Sequence, residues 1–533
     1  MDKGIEVRLG LRRCHDARVS VRDIPSPSAP KPVASLNDPL VGPDSPLEGG
    51  HLFMVHGRIE DLTHDAAIVP VDEFLSFNRI WGPLLGETWP SAPATWAQGW
   101  GRVEDGSYWL VQVGDGNYAK VLQRVTCAVD DVCEQIRKPI GGRQRPLLAL
   151  PVLGVGRGGH HHEPGRVLKL LVEHLESLAL SHEIDIVLVT PEPSVYAAAQ
   201  FVRRGTSALP PRMEQLARAI GDRATRDELA LFIGAGASMA AGLPSWTELI
   251  RRLAVGVEGA DTEAFAALGA TDQAELIQSY DVEGFQSRVA DIVGTAERPA
   301  LVHGLLAGLG VRNAVTTNYD TFYEQAVEAS GREMKSVLPW QSAVGAQRWV
   351  LKLHGDVSKP ESIVLTRRHM VRFDAANRPS ASLLQSVLLT KHLLVVGTSL
   401  TDDNVLRLAH EVQEYREKYR PGVEEPFGTQ LDATDGVGRL RARLWAGQLD
   451  WVHLQDFGTE TPPRALELLL DRAGAHASGD APWLLDDRFS GLFNDQADKD
   501  LADRARGLLS EAKARDSAMW EPLVAALNRL GGV

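Results

Sequence analysis

Leu231-Phe232-Ile233-Gly234-Ala235-Gly236-Ala237-Ser238 is the stretch on which the fold turns. An apolar run meets two closely spaced glycines, then a hydroxyl residue at a predicted helix start. A strand that opens through glycines into a helix lets backbone amides approach a pyrophosphate, with the positive helix end facing its charge. Ser238 is placed to cap that helix or to bond a phosphate oxygen. A tight strand–helix turn without ligand has the same local signature, so the rest of the chain must decide.

Downstream, Gly242-Leu243-Pro244-Ser245-Trp246 breaks the short helix and begins a loop beside the glycine turn. Trp246 is placed to cover a nucleotide or to pack as a core aromatic. Thr316-Thr317-Asn318-Tyr319-Asp320 follows the apolar run Ala314–Thr316, and Lys352-Leu353-His354-Gly355-Asp356 closes a run that begins at Trp349. Val395-Val396-Gly397-Thr398-Ser399-Leu400 again opens a strand onto glycine and hydroxyls, with a helix starting at Asp402-Asp403-Asn404. Together with Leu229–Ile233, Leu393–Val396 and Trp451–Leu454, these runs predict a doubly wound parallel sheet, helices lying between its strands. Ligands of such sheets gather beyond the carboxyl ends of strands, so Asn318, Asp320 and His354 are expected to converge over Gly234.

The earlier half reads as a second, smaller α/β unit. Its strand-like runs are Leu52–Val55, Ala66–Val69, Tyr108–Val113, Leu147–Leu150 and Ile184–Val189. Val167 to Leu180 predicts a helix with Leu170, Leu171, His174, Leu175 and Leu178 on one face. Residues 1–50, rich in Pro, Ser and Gly from Asp23 onward, predict an extended lead-in. The expected organisation is a first unit over 51–205, a linker over 206–212, a second unit over 213–484 and a helical tail over 485–533. Leu508, Leu509, Trp520, Leu523, Val524 and Leu527 of that tail are expected to pack on the body or on another subunit.

Composition narrows the function. With 56 Lys and Arg against 70 Asp and Glu, the chain carries a formal charge of −14, which argues against direct nucleic-acid binding. No apolar run approaches the ~20 residues a membrane helix needs, and a cytoplasmic protein is expected. The three cysteines, Cys14, Cys127 and Cys133, form no CxxC pair, so neither a disulfide framework nor a metal site is expected. His160-His161-His162-Glu163 reads as a solvated loop, because adjacent side chains diverge.

Taken in order, Gly234-Ala-Gly-Ala-Ser238, Gly242-Leu-Pro244, Thr317-Asn318-Tyr319-Asp320, Lys352-Leu-His354-Gly355 and Gly397-Thr-Ser-Leu400 resemble the motif series of sirtuins. The variant resembles the sirtuin-like domains of bacterial anti-phage defence proteins. The resemblance spans roughly residues 212–480 and implies a Rossmann-like domain that hydrolyses NAD and depletes it. It implies that Gly234, Ala235, Gly236 and Ser238 hold the diphosphate, and that Asn318 and Asp320 sit at the nicotinamide ribose and carboxamide. It further implies His354 as base, with Gly397, Thr398 and Ser399 lining the adenosine side. Protein-deacylating sirtuins carry a four-cysteine zinc module after the catalytic His, whereas Gly355 to Val396 holds no cysteine. Their Phe-Arg after the Pro is here Ser245-Trp246-Thr247. Both departures point away from acyl-lysine chemistry.

Residues 51–203 resemble a macrodomain through Gly57 to Pro70 and the glycine-rich Pro151-Val-Leu-Gly154-Val-Gly156-Arg-Gly158-Gly159. That resemblance implies a pocket at Gly154, Gly156 and Gly158 for an ADP-ribose-like signalling nucleotide, gating the second unit. Homo-oligomerisation is also expected. Two other functions stay open: an NAD-dependent deacylase, and a nucleotide sensor without turnover.

Overall fold

The computed structural model describes residues 49–86, 89–104, 106–114, 116–155, 163–204, 209–376, 378–400, 403–419, 425–434, 436–458, 461–478, 482–515 and 517–532. The extended lead-in, apart from Gly49 and Gly50, lies outside the described residues, as do Gly156, Gly158, His160–His162, Asp402 and part of the 206–212 linker.

β1 (Leu52–His56), β2 (Ala66–Val71), β3 (Trp100–Arg102), β4 (Tyr108–Gln112), β5 (Leu147–Pro151) and β6 (Asp185–Thr190) form one sheet, ordered β1-β6-β5-β2-β4-β3. All neighbours run parallel except β3 and β4. The helices Tyr118–Gln135 and Pro164–His182 bury Val121, Val125, Val129, Leu168, Leu171 and Leu175 against it. The expected apolar face of the second helix is corrected by one position: Leu170 is 38% exposed, and Leu168 takes its place. Trp483, Phe489 and Leu492, from far along the chain, complete this core.

The second sheet holds β7 (Leu229–Ile233), β8 (Asn313–Thr316), β9 (Lys335–Val337), β10 (Trp349–Lys352), β11 (His392–Val396), β12 (Gly428–Asp432) and β13 (Leu449–His453). Its order is β13-β12-β11-β7-β8-β10-β9, and every pair is parallel. β7 is buried along its whole length, as a strand covered on both faces must be. The chain builds outward from β7 on one side and then crosses to β11 on the other. That reversal opens a crevice at the carboxyl ends of β7 and β11. The register aligns Ile233 with Thr316 and Val396, and Thr316 with Lys352. The residues after these four strands therefore leave the sheet at one level. Helices between residues 246 and 293 form a separate apolar cluster above it, to which Tyr319, Ile363 and Leu365 also belong.

The helix Pro462–Ala477 joins the two sheets. Its Asp471 accepts bonds from Arg203 Nη1 (2.6 Å), His51 Nε2 (2.8 Å) and the Met54 amide (3.1 Å). Its Arg464 donates to Asp185 (2.5 Å), and Arg143 bridges Asp185 and Glu467 at 2.7 and 2.5 Å. The helices Gln496–Ala514 and Glu521–Arg529 follow and pack on each other, with Leu509 buried, Leu523, Val524 and Leu527 half-buried, and Leu508 at the surface. Among the described residues no helix is long and apolar enough to cross a membrane.

Candidate active site

The glycine turn differs from expectation in its continuation. Ser238 starts no α-helix: two 3-10 turns, Ala235–Ala237 and Met239–Ala241, follow β7, and the first regular helix is Trp246–Leu253, capped by Ser245. Ser238 therefore makes no capping bond. Its side chain turns inward instead, where it is 1% exposed.

Gly234 and Gly236 serve close approach between two loops. A Cβ on Gly234 would lie 2.5 Å from Thr398 Cβ and 2.6 Å from the Gly397 carbonyl oxygen. Gly397 itself has φ +70°, the left-handed region that glycine tolerates. The loops are stitched by Gly234 N–H to Val396 O (2.9 Å) and Gly236 N–H to Gly397 O (2.8 Å). Ser238 N–H bonds Ala235 O at 3.0 Å. Three of the four residues expected at a diphosphate thus spend their amides inside the protein. Among the described residues no backbone acceptor takes the Ala235 N–H.

Above the turn is a cavity of about 430 Å³. Ala235, Ser238, Trp246, Asn318, Asp320, His354, Gly397, Thr398 and Ser399 all line it; Gly234 and Gly236 do not. Leu243, Leu249, Val293 and Leu400 supply apolar wall. Trp246 lines the cavity and also packs on the helical cluster. Gly154, at the carboxyl end of β5, is buried with φ +82°.

The polar groups of the cavity form a directed network. Asn318 Nδ2 donates to Gly234 O and to Ser238 Oγ, both at 3.1 Å. Its Oδ1 is buried and has no hydrogen-bond partner among the described residues. Thr316 Oγ1 bonds Ile233 O (2.8 Å) and accepts the Asn318 amide (3.0 Å), which fixes the start of the turn. Asp320 Oδ2 accepts from Ser238 Oγ at 2.9 Å and Oδ1 from Phe322 N–H at 3.1 Å. Burial pushes the Asp320 carboxyl above the usual carboxylate range, against the pull of Lys352. His354, 4% exposed, lies on the β10 side and is tied back by Val364 N–H on its carbonyl (2.9 Å). Gly355, at φ +99°, makes that bend, because a Cβ there would sit 2.3 Å from Ser362 O.

Two residues outside the expected set organise this site. Lys352 is fully buried, and its Nζ reaches the carbonyls of Tyr319 (3.2 Å) and Asp320 (2.6 Å), Glu324 (3.1 Å) and Asp356 (2.9 Å). One cation thereby clamps the ends of β8 and β10. A lysine closing an otherwise apolar strand was the available signal. His303, 1% exposed, bonds Ser238 from the helix Leu301–Gly308. A lone histidine 65 residues from its partner gave no sign of that. Among the described residues there is no group of His, Cys, Asp and Glu side chains fit to hold a metal ion.

A family model described as SIR2-like domain matches residues 312–424. NAD(+) hydrolase ThsA of Acinetobacter baumannii (strain 532279) is 30% identical over 184 residues, covering 34% of this chain and 38% of that protein. NAD(+) hydrolase ThsA of Bacillus cereus (strain MSX-D12) is 29% identical over 223 residues, with 39% and 46% covered. NAD(+) hydrolase ThsA of Enterococcus faecium is 30% identical over 204 residues, with 36% and 41% covered. The chain matches less than half the length of each of these relatives. Over residues 312–424, which hold Asn318, Asp320, His354 and Gly397, the chain is similar to SIR2-like domains.

Proposed function

We propose that the cavity binds NAD and cleaves its nicotinamide–ribose bond by hydrolysis. The observation that carries this reading is Asn318: its two amide hydrogens are committed to the protein, so its Oδ1 is what it offers to a cavity that His354 also lines. The names of the relatives, all NAD(+) hydrolases, support the same chemistry.

Nicotinamide departs from NAD as a neutral molecule, so the leaving group needs no general acid. Charge develops on the ribose as an oxocarbenium ion. The site must then hold the ribose, position the attacking oxygen and take its proton. Asn318 Oδ1 accepts a hydrogen bond from the attacking water or a ribose hydroxyl, and His354 takes the proton. Such transfer contributes ~10²–10⁴-fold in typical enzymes. Asp320 keeps a lone pair on each oxygen for the carboxamide, beyond the bonds to Ser238 and Phe322. Ala235 N–H, Thr398 and Ser399 face the diphosphate and adenosine. In this reading the biological role is NAD depletion, supported by the resemblance to anti-phage proteins. The macrodomain-like unit around Gly154 senses an ADP-ribose-like nucleotide and gates it, a role motivated by the pairing of two nucleotide pockets in one chain.

The test is chromatography of NAD products from the full chain, with and without ADP-ribose. Wild type should release nicotinamide and ADP-ribose, and His354→Ala and Asn318→Ala should each abolish release while keeping the melting temperature. Undiminished turnover in both variants refutes the site assignment. Full-rate turnover without any added nucleotide refutes the gating. Release of O-acyl-ADP-ribose from an acyl peptide would replace the reading with a deacylase.

A further inference from the structure

We infer that His303 is a positioning residue for the cleavage reaction, fixing through Ser238 which face of Asn318 meets the substrate. The inference rests on the NAD-cleaving reading above.

Donors and acceptors around Ser238 decide the orientation. His303 Nδ1 accepts the Ala300 amide N–H at 3.1 Å, so it cannot carry a proton. Burial holds the imidazole neutral, pushing its pKa down to about 4. The one ring proton is therefore on Nε2, which lies 3.2 Å from Ser238 Oγ and donates to it. Ser238 has a single proton, given to Asp320 Oδ2 at 2.9 Å. Its remaining lone pair accepts from Asn318 Nδ2. With His303 Nε2–H filling one lone pair of the hydroxyl, its proton goes to Asp320 and its other lone pair is left for Asn318 Nδ2. A flipped Asn318 amide would set its carbonyl against Gly234 O and Ser238 Oγ, two acceptors facing an acceptor. His303 thus helps keep Ser238 the acceptor that, together with Gly234 O, holds Asn318 with its Oδ1 toward the cavity, where the reaction needs an acceptor.

His303 is in turn held from the other sheet. The segment leading into its helix is bonded by Thr63, whose N–H donates to Pro299 O (2.9 Å) and whose Oγ1 donates to Arg298 O (3.0 Å). Gly304, one residue on, packs so closely on β1 that a Cβ there would lie 3.0 Å from Val55 Cγ1. The ring is therefore fixed in height as well as in tautomer.

The test compares two amide replacements in the full chain. In His303→Gln the longer amide reaches Ser238 and keeps the donor. In His303→Asn the shorter one keeps an acceptor for Ala300 N–H but no longer reaches Ser238. A purely structural role predicts that Asn is the better tolerated; the positioning role predicts the reverse. We expect kcat to fall about 10- to 100-fold in His303→Asn with KM within about threefold, and to return within about fivefold of wild type in His303→Gln. Equal kcat in both, or the opposite order, overturns the inference while wild-type turnover leaves the NAD reading standing. Wild type that releases no nicotinamide instead sinks that reading, and the role with it. A readout independent of turnover is the ¹⁵N shift of the His303 ring, assigned by difference against His303→Gln. A protonated Nε2 with bare Nδ1 is expected; a protonated Nδ1 overturns the inference.

Discussion

Replacing Lys352 by methionine should convert a clamp into a buried electrostatic fault. The two side chains have nearly the same length and volume, so packing changes little. What is lost is the cation that faces Glu324 and Asp356 and holds the Tyr319 and Asp320 carbonyls. Burial alone would lower the Lys352 pKa, but the carboxylates of Glu324, Asp356 and Asp320 together raise it above its usual value. Removing one partner from such a buried set costs ~3–5 kcal/mol, because the other charges stay desolvated. The sign with pH follows. Burial already raises the Glu324 carboxyl with Lys352 opposing it, and in Lys352→Met that opposition is gone. A carboxyl with a raised folded-state pKa holds its proton in the native state and releases it on unfolding, so the variant must lose stability as pH rises from about 5 to 8. The slope is ~1.4 kcal/mol per pH unit for each carboxyl that stays protonated in the folded chain. Urea denaturation at several pH values from 5 to 8 measures both terms. A variant within about 1 kcal/mol of wild type, with no added pH slope, would refute the assignment of Lys352 as the cation that binds the strand ends.

Gly234→Ala should destabilise by ~1–3 kcal/mol, because its Cβ meets the backbone of Gly397 and the Cβ of Thr398. Calorimetric NAD binding should be lost with it; unchanged affinity would mean the crevice is not the dinucleotide site. Thr63→Val removes the hydroxyl bonded to Arg298 O and should lower kcat about 2- to 10-fold, with Thr63→Ser restoring it. Equal kcat in the three proteins would separate the six-stranded unit from the site. Burial lowers the pKa of His56, His64, His303 and His392 to about 4 each. The unfolded chain takes up these protons first, near pH 6.5, so stability should fall as pH drops from 6.5 to 4 by ~1.4 kcal/mol per unit for each. Melting temperatures flat across that range would contradict their burial as neutral rings.

The sheet behind the site was legible because its central strands carry apolar runs: Leu229–Ile233 in β7, Ala314 and Val315 in β8, Trp349–Leu351 in β10 and Leu393–Val396 in β11. β12 was not, since its buried Thr429, Gln430 and Asp432 look like loop residues until their partners are known. The helix Tyr118–Gln135 was not among the expected elements, although Val121, Val125, Val129 and Val132 carry its period. The cavity residues were legible as strand-end clusters, and Asn318, Asp320 and His354 line one cavity as that reasoning requires. What the chain could not announce was the work of its glycines and of Ser238. Gly234 and Gly236 look like phosphate donors, but adjacent loops compete for their amides and win. Ser238 looks like a cap, but a buried carboxylate 82 residues away takes its proton. Partnership at such separation is decided by topology, which local spacing does not encode.

The helix Pro462–Ala477 has a consequence for how this architecture can be cut or recombined. Asp471 and Arg464 owe their burial to Arg203, His51 and Asp185, all of which precede β7. A fragment starting after residue 210 would bare a carboxylate and a guanidinium matched to missing neighbours. Any exchange of the leading unit for another must bring a surface complementary to these late residues, so the two sheets are constrained to be inherited as a pair.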